Sequence, residues 1–270
     1  MFISPAQFTF KHGWAWRIFM ALITLIVVAF AVVVYRDRHE IDPWFLTFVL
    51  VCVALTVFAF IAIGKIEVRG HDEGLVRASL FGVREIPWND VTEYRYRQVP
   101  VNYAAHFGLV GYLLMIFARK SSGSASLQRR LKIKGRDGAA ITISENVRDN
   151  EEVIRLILSR VQPRLLAVAR TYFDSGAGVS FGKITLSING LSWKGKDPVP
   201  YANLMKPRID GQKLRIKAQG KWLDLVAVNC DTIPNVFILL DLVDEQLAKA
   251  GVSTQDILRA SSQIDPFRAK

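Results

Sequence analysis

Cysteine is scarce in this sequence, with Cys52 and Cys230 the two present among 270 residues. They lie far apart in the chain, so they offer neither a disulfide framework nor a CxxC metal pattern. The four histidines have no partner at metal-ligand spacing, and HExxH is absent. The sequence therefore predicts neither a disulfide-stabilised fold nor a metal site.

The common motifs of catalysis and nucleotide binding are also missing. The glycine-rich stretch 176–182 lacks GxGxxG spacing, and neither GxxxxGK[ST] nor GxSxG occurs. The carboxylates are scattered, and the group Asp149, Glu151 and Glu152 is explained by helix capping and the helix dipole. We therefore expect a protein that is not an enzyme and needs no cofactor.

Charge is absent from two long stretches, residues 18–35 and 44–63. As helices they would roughly match the ~30 Å hydrocarbon core of a bilayer. The connection RDRHEIDP is short, so the two helices would be antiparallel neighbours. The pattern predicts a transmembrane α-hairpin over 18–63, preceded by an interfacial head, 1–17.

The distribution of lysine and arginine predicts the orientation of this hairpin. Six basic residues flank its outer ends and two lie in the turn, Arg36 and Arg38. We therefore expect an integral membrane protein of the bacterial inner (cytoplasmic) membrane with both termini in the cytoplasm. The net charge of +11 is concentrated after the hairpin, which favours attraction to anionic headgroups over a nucleic-acid partner.

Short segments of alternating apolar and charged residues follow the hairpin, and this period of two predicts β-strands. Helical spacing then begins near Asp149, with Pro163 expected to kink or end the helix. A glycine- and serine-containing linker is predicted over 174–182.

The segments after the linker repeat the order of those after the hairpin. RLKIKGRDGAAITI (130–143) matches KLRIKAQGKWLDLV (213–226), and each unit closes with a helix. The repeat predicts two related domains, 64–173 and 183–251, followed by a tail, 252–270. Residues 98–128 have no counterpart in the second unit, so they are interpreted as an insertion.

Three stretches carry a resemblance to a known family: KIEV (65–68), EGL (73–75) and REIPWNDV (84–91). They are similar to patterns in bacterial membrane proteins with two transmembrane helices followed by tandem pleckstrin-homology-like domains. The resemblance implies an α+β fold in which each unit is a bent antiparallel sheet closed by a C-terminal helix. It also implies binding or scaffolding, with no catalytic residues to transfer.

A basic cluster is the strongest candidate site. In the strand 129–135 the alternation places Arg130, Lys132 and Lys134 on one outer face. This face is either a solvated strand surface or a surface for anionic lipid or an acidic partner. The cluster as a whole consists of Arg119, Lys120, Arg129, Arg130, Lys132, Lys134 and Arg136.

An apolar run, 107–118, precedes this cluster. It is either a buried core strand or a segment that dips into the membrane or binds a partner, since an apolar wedge beside basic residues is typical of interfacial binding. Its candidate membrane contacts are Phe107, Leu109, Leu113, Leu114 and Phe117.

The sequence thus predicts a membrane-anchored, non-catalytic binding or scaffold protein that presents tandem pleckstrin-homology-like domains at the cytoplasmic membrane face and contacts anionic lipid. The alternative is a structural or accessory subunit of a larger membrane protein complex. Membrane lipid is the first expected partner; a membrane protein or a second copy of the chain is the other, and no nucleic acid is expected.

Overall fold

The computed structural model describes residues 6–11, 14–37, 43–100, 127–144 and 149–252. The chain divides into two compact units. Unit 1 comprises Met1–Trp88 with Glu145–Asn150, and unit 2 comprises Asn89–Ser144 with Glu151–Lys270. The domain limits expected from the repeat stay a prediction.

Unit 1 contains two helices and one antiparallel sheet. The uncharged stretches lie in helices α1 (Trp14–Asp37) and α2 (Pro43–Gly64), as their composition indicated. The sheet has the order β1-β2-β3-β4. Its strands are Phe8–Lys11 (β1), Glu67–Gly70 (β2), Gly74–Ser79 (β3) and Gly82–Pro87 (β4).

The helices of the described residues bear directly on the predicted hairpin. None of them combines the length and the apolarity needed to cross a bilayer. This finding contradicts the transmembrane hairpin over 18–63 and the localisation as an integral protein of the bacterial inner membrane with cytoplasmic termini. Both are corrected accordingly, because an uncharged run in a sequence is a condition for a span and does not establish one.

The first strand was not indicated by the sequence pattern. Phe8–Lys11 pairs antiparallel with β2, with Phe10 opposite Val68. The ring of Phe8 covers Gly70, where a Cβ atom would meet it at 1.9 Å. The pairing forms because β2 offers a free edge, a contact over some sixty residues that local periodicity does not report.

The first half of unit 2 is a three-stranded sheet and a long helix. The sheet has the order β5-β6-β7, from Val91–Pro100, Leu127–Gly135 and Ala140–Ile143. Helix α3 spans Asn150–Asp174 and continues through Pro163. The strands agree with the alternation in the sequence. Of the two expectations for Pro163, an end of the helix is wrong, and a kink stays a prediction.

In the second half of unit 2, strands again precede a helix, but they form two sheets instead of one. Two three-stranded sheets, β10-β9-β8 and β11-β12-β13, precede helix α4 (Val236–Lys249). The strands of the two sheets are Val179–Phe181 (β8), Ile184–Ser187 (β9), Gly190–Trp193 (β10), Arg208–Asp210 (β11), Lys213–Lys217 (β12) and Asp224–Asn229 (β13).

Helix α4 contacts the sheet of the first half. Phe237 stacks on Tyr94 at 6.2 Å between ring centroids and lies 5.1 Å from the Tyr96 ring. Asn235, just before the helix, accepts a hydrogen bond from the Tyr94 N–H at 2.8 Å and donates its own N–H to the Tyr94 carbonyl at 2.8 Å. The helix of the second repeat therefore covers a strand of the first.

The predicted fold class is corrected on these grounds. The described residues form four small antiparallel sheets and four α-helices, with no transmembrane hairpin. The two pleckstrin-homology-like units, each closed by its own helix, are not what unit 2 shows. Phe237 of α4 packs against Tyr94 and Tyr96 of β5, so this helix is not confined to its own repeat.

Candidate functional site

The outward face of the sheet β5-β6-β7 is strongly basic. The register places Glu93, Arg95 and Arg97 of β5 opposite Lys134, Lys132 and Arg130 of β6. These three basic residues of β6 are exposed, as are Arg95 and Arg97. The residues between them in sequence, Tyr94, Tyr96, Leu131 and Ile133, are at most 1% exposed and form the inner face. We call Arg95, Arg97, Arg130, Lys132 and Lys134 the basic face.

Two like-charge pairs lie directly across the strands on this face. Arg95 is opposite Lys132, and Arg97 is opposite Arg130. Directly opposed like charges destabilise an antiparallel pair by roughly 0.2–1 kcal/mol. The fold therefore bears an electrostatic cost here that it does not need for packing.

The carboxylates near the basic face offset only part of its charge. Glu93 forms an ion pair with Arg95, and Asp231 lies 4.0 Å from the Nε of Arg97. Lys132 and Lys134 form no ion pair within the described part of the chain. The five basic residues of the face outnumber these two carboxylates, so the face keeps a net positive charge.

A shallow depression of about 240 Å³ lies on the same face. Its lining consists of Glu93, Arg95, Lys132, Lys134, Gly138 and Ala140. Two lysine ammonium groups and one guanidinium thus converge on a space large enough for a phosphate or carboxylate group. The chemistry of this lining is that of an anion-binding surface.

Arg129 does not belong to the basic face. It lies on the opposite side of β6, its side chain is 14% exposed, and it forms an ion pair with Glu151 in the first turn of α3. Tyr96 lies beside it, and burial raises the pKa of Tyr96 to about 12, an effect that the positive Arg129 opposes. Arg129 thus ties the helix to the sheet rather than facing a partner.

The remaining predicted site residues divide into two groups. Arg136 is exposed in the turn after β6, where its N–H donates to the Asp90 carbonyl at 2.8 Å. The others lie outside the described residues: Arg119, Lys120, Phe107, Leu109, Leu113, Leu114 and Phe117. The structure therefore brings together Arg130, Lys132 and Lys134 and adds Arg95 and Arg97, which sequence reasoning missed. The alternation of VTEYRYR contained the signal, because it places both arginines on one side of β5.

The equivalent strand of the second repeat shows a different charge balance. Arg215 of β12 corresponds to Lys132, and its guanidinium forms ion pairs with Asp210 at 3.1 Å and Asp224 at 2.6 Å. Asp210 lies opposite Lys213, where the first repeat has Arg97 opposite Arg130. Asp224 lies opposite Lys217, where the first repeat has Ala140 opposite Lys134. Arg208 lies opposite Arg215, just as Arg95 lies opposite Lys132. In the second repeat, however, Asp210 and Asp224 offset this like-charge pair.

Metal ligation has no structural support in the described ranges. They contain no group of three or more histidine, cysteine, aspartate or glutamate side chains that could hold a metal ion.

Comparison with known families gives one match. A family model described as "Family of unknown function (DUF6585)" matches residues 115–251, which is just over half of the 270-residue chain. The match spans β6, β7, both helices of unit 2 and all six strands of its second half. No curated protein matches this chain.

This match corrects the resemblance drawn from KIEV, EGL and REIPWNDV. No pleckstrin-homology or membrane-protein family is recognised, and the three stretches, at 65–68, 73–75 and 84–91, all precede the matched region. Short patterns of this kind follow from strand alternation and turn chemistry, which many antiparallel sheets share. They therefore do not identify a family.

Proposed function

Since the chain belongs to the family described as "Family of unknown function (DUF6585)", whose description assigns no activity, we propose a function from the geometry of unit 2. The protein is a non-catalytic binding protein whose basic face binds the headgroups of anionic lipid. The observation that carries this proposal is the pair of directly opposed like charges, Arg95 with Lys132 and Arg97 with Arg130.

The comparison between the repeats supports the proposal. A charged strand face that served solubility alone would be expected to balance its charges, as β12 does through Asp210 and Asp224. The first repeat instead has Arg97 and Ala140 at these positions. An anionic surface placed against β5 and β6 would offset the repulsion, at roughly 1 kcal/mol per basic residue held near it.

The aromatic residues of the strand favour lipid over single-stranded nucleic acid. Nucleic-acid surfaces of this type combine basic residues with exposed aromatic side chains on which bases stack. Tyr94 and Tyr96 of β5 are each 1% exposed and face the core. The basic face therefore offers charge without a stacking platform.

Vesicle binding by the full chain tests this proposal. We expect Lys132→Gln/Lys134→Gln to weaken binding to vesicles of phosphatidylcholine with phosphatidylglycerol by about 10- to 30-fold, since two charges leave the surface. The matched control is Lys213→Gln/Lys217→Gln, which removes the same charges from β12 and should leave binding unchanged.

The measured quantity is the difference between anionic vesicles and pure phosphatidylcholine vesicles, because apolar contacts contribute equally to both. Salt should reduce this difference through screening. Equal binding to the two kinds of vesicle, or equal losses in the two double variants, would contradict the proposal.

A second candidate function is favoured by the exposed apolar residues of unit 1. Phe30 on α1 is 62% exposed, and Phe48 and Leu55 on α2 are 65% and 63% exposed. Exposed apolar patches of this kind are typical of interaction surfaces. On this hypothesis the protein is an accessory subunit of a larger complex, and these helices bind the other subunits.

Chemical crosslinking of the protein in its native extract separates the two functions. A crosslinked species that contains other proteins, and that disappears in Phe48→Ser/Leu55→Ser, would support the accessory subunit. A monomer at every crosslinker dose would rule it out.

A further inference from the structure

Two arginines lie directly opposite each other in unit 1, outside the site described above. Arg77 of β3 is paired with Arg84 of β4 in the antiparallel register. The two positions are close to the hairpin turn, where the Ser79 hydroxyl donates to the Gly82 carbonyl at 3.0 Å. Like charges placed in this way repel each other.

Apart from Ser79 near the turn, the other side chains that β2, β3 and β4 place on the face with these arginines are apolar. The same face holds Val68, Leu75 and Ile86, each 1% exposed. The carboxylates of the same strands, Glu67 and Glu85, lie on the other face. Each is the immediate neighbour in sequence of a residue on the arginine face, and adjacent strand residues point to opposite faces. Arg77 and Arg84 therefore share a face on which β2, β3 and β4 place no carboxylate.

The arginine pair opens onto a cavity of about 370 Å³. One wall is apolar and comes from the end of α2 and the hairpin, with Ala62, Ile66, Leu80, Phe81 and Val83 in the lining. Phe81 lies 6.4 Å from Phe58 of α2 between ring centroids, so the hairpin tip contacts the helix. The volume falls within the ~300–1,000 Å³ typical of small-molecule sites.

The electrostatics of Arg77 favour an anion beside it. Burial lowers the pKa of Arg77 from its ordinary value, and the positive charge of Arg84 lowers it further. An anion between the two guanidinium groups would reverse the second effect and offset the first. Guanidinium groups bind phosphate and carboxylate groups in a bidentate way, which suits a pair of arginines side by side.

We propose that this cavity binds one single-chain anionic amphiphile, whose phosphate or carboxylate head lies between Arg77 and Arg84 and whose hydrocarbon chain follows the apolar wall. The proposal concerns a single molecule in unit 1. It is independent of the lipid surface proposed for the basic face of unit 2.

The test measures one-to-one binding to the full chain by native mass spectrometry, in a fixed concentration of an uncharged detergent. The probes are oleate, 1-oleoyl-lysophosphatidate, 1-monooleoylglycerol and inorganic phosphate. We expect oleate or the lysophosphatidate to bind at least tenfold more tightly than either of the other two. The stronger of the two anionic probes identifies whether the head is a carboxylate or a phosphate monoester.

Variants assign the binding to the arginine pair. Arg77→Gln and Arg84→Gln should each weaken the binding of the anionic amphiphile at least tenfold. Arg84 is exposed, so its replacement tests the site even if Arg77→Gln folds poorly. Arg69→Gln is the matched control, because Arg69 lies on the opposite face of the same sheet in an ion pair with Glu67 at 2.6 Å.

Three outcomes would overturn the proposal. The first is monooleoylglycerol binding as tightly as the anionic probes, and the second is inorganic phosphate doing so. The third is an unchanged affinity in Arg77→Gln and Arg84→Gln. If Lys132→Gln/Lys134→Gln lowers the affinity for the amphiphile and the arginine variants do not, the amphiphile binds to the basic face. That result would also reject this site.

Discussion

Asn235 joins the two halves of unit 2. Its backbone has a positive φ of 53°, a conformation that asparagine tolerates better than most residues. In this position its side-chain oxygen accepts the N–H of Tyr94 at 2.8 Å. The residue thus caps the start of α4 and at the same time accepts a hydrogen bond from the backbone of β5.

Replacement of Asn235 tests this double role. We expect Asn235→Ala to lower the free energy of unfolding by about 2–4 kcal/mol, because it leaves the Tyr94 N–H unpaired and strains the backbone. Asn235→Gly relieves the strain and should cost about 1–3 kcal/mol through the hydrogen bond alone. Urea unfolding followed by circular dichroism gives both values.

The control for this series is Asn235→Asp, which keeps an oxygen acceptor and a side chain tolerant of positive φ. It should lie within about 1 kcal/mol of the natural protein. A cost in Asn235→Asp as large as in Asn235→Ala would contradict the assigned hydrogen bond.

Two buried groups predict how stability depends on alkaline pH. Burial raises the pKa of the Cys230 thiol to about 12, and the negative charge of Asp231 adds to the effect. Burial likewise raises the pKa of Tyr96 to about 12. Both groups are neutral in the folded state at pH values where they ionise in the unfolded state.

The free energy of unfolding should therefore be unaffected by these groups below about pH 9 and fall as the pH rises toward 12. The slope is up to ~1.4 kcal/mol per pH unit for each group that is neutral in the folded protein and ionised in the unfolded one. Tyr96→Phe should reduce the slope above pH 10, whereas Tyr172→Phe, at an exposed tyrosine, should not. Urea titrations at a series of pH values measure the slope, and an identical slope in Tyr96→Phe would contradict the assignment.

At the scale of elements, β6 and β12 occupy the same place in the two repeats and differ in their charge environment. Lys132 faces Arg95 across the strands, and Arg215 is held between Asp210 and Asp224. The Asp224 side chain is 11% exposed, so removal of its partner would leave a largely buried carboxylate unpaired.

Equivalent substitutions in these strands should therefore have opposite signs. Lys132→Gln removes a repulsion and should raise the free energy of unfolding by roughly 0.2–1 kcal/mol. Arg215→Gln should lower it. Thermal and urea unfolding of the two single variants would show this, and a loss of stability in both would mean that Lys132 has a structural role.

At the scale of the whole molecule, the contacts of α4 make unit 2 dependent on both repeats. Phe237 covers Tyr94 and Tyr96, and the Gln162 side chain of α3 donates to Asp241 of α4 at 2.7 Å. These contacts connect segments on either side of the expected linker, 174–182. The linker itself contains β8 at its end.

Truncation tests this dependence. A chain ending at residue 182 loses α4 and exposes the two tyrosine rings, so β5, β6 and β7 should lose their protection from hydrogen exchange. A chain ending at residue 252 keeps every described residue and should retain that protection. If β5 to β7 stay protected in the shorter chain, the first repeat folds as an independent domain.

The sequence by itself determined the local elements of this protein. Alternation with a period of two identified β5, β6 and β12, because strand side chains point to opposite faces in turn. The uncharged stretches indicated helices, which are α1 and α2. Their apolarity alone did not establish a membrane span, and the described helices do not show one.

Only the tertiary structure decided which surfaces face outward and which segments cover them. Arg129 and Lys132 look alike in sequence, but one is bound to Glu151 and the other faces Arg95. Asn235 and Phe237 are assigned to β5 by contacts that span some 140 residues. Periodicity predicts which side chains of one strand share a face. The pairings described here depend instead on which distant apolar surface packs against the helix. The local sequence pattern does not determine that packing.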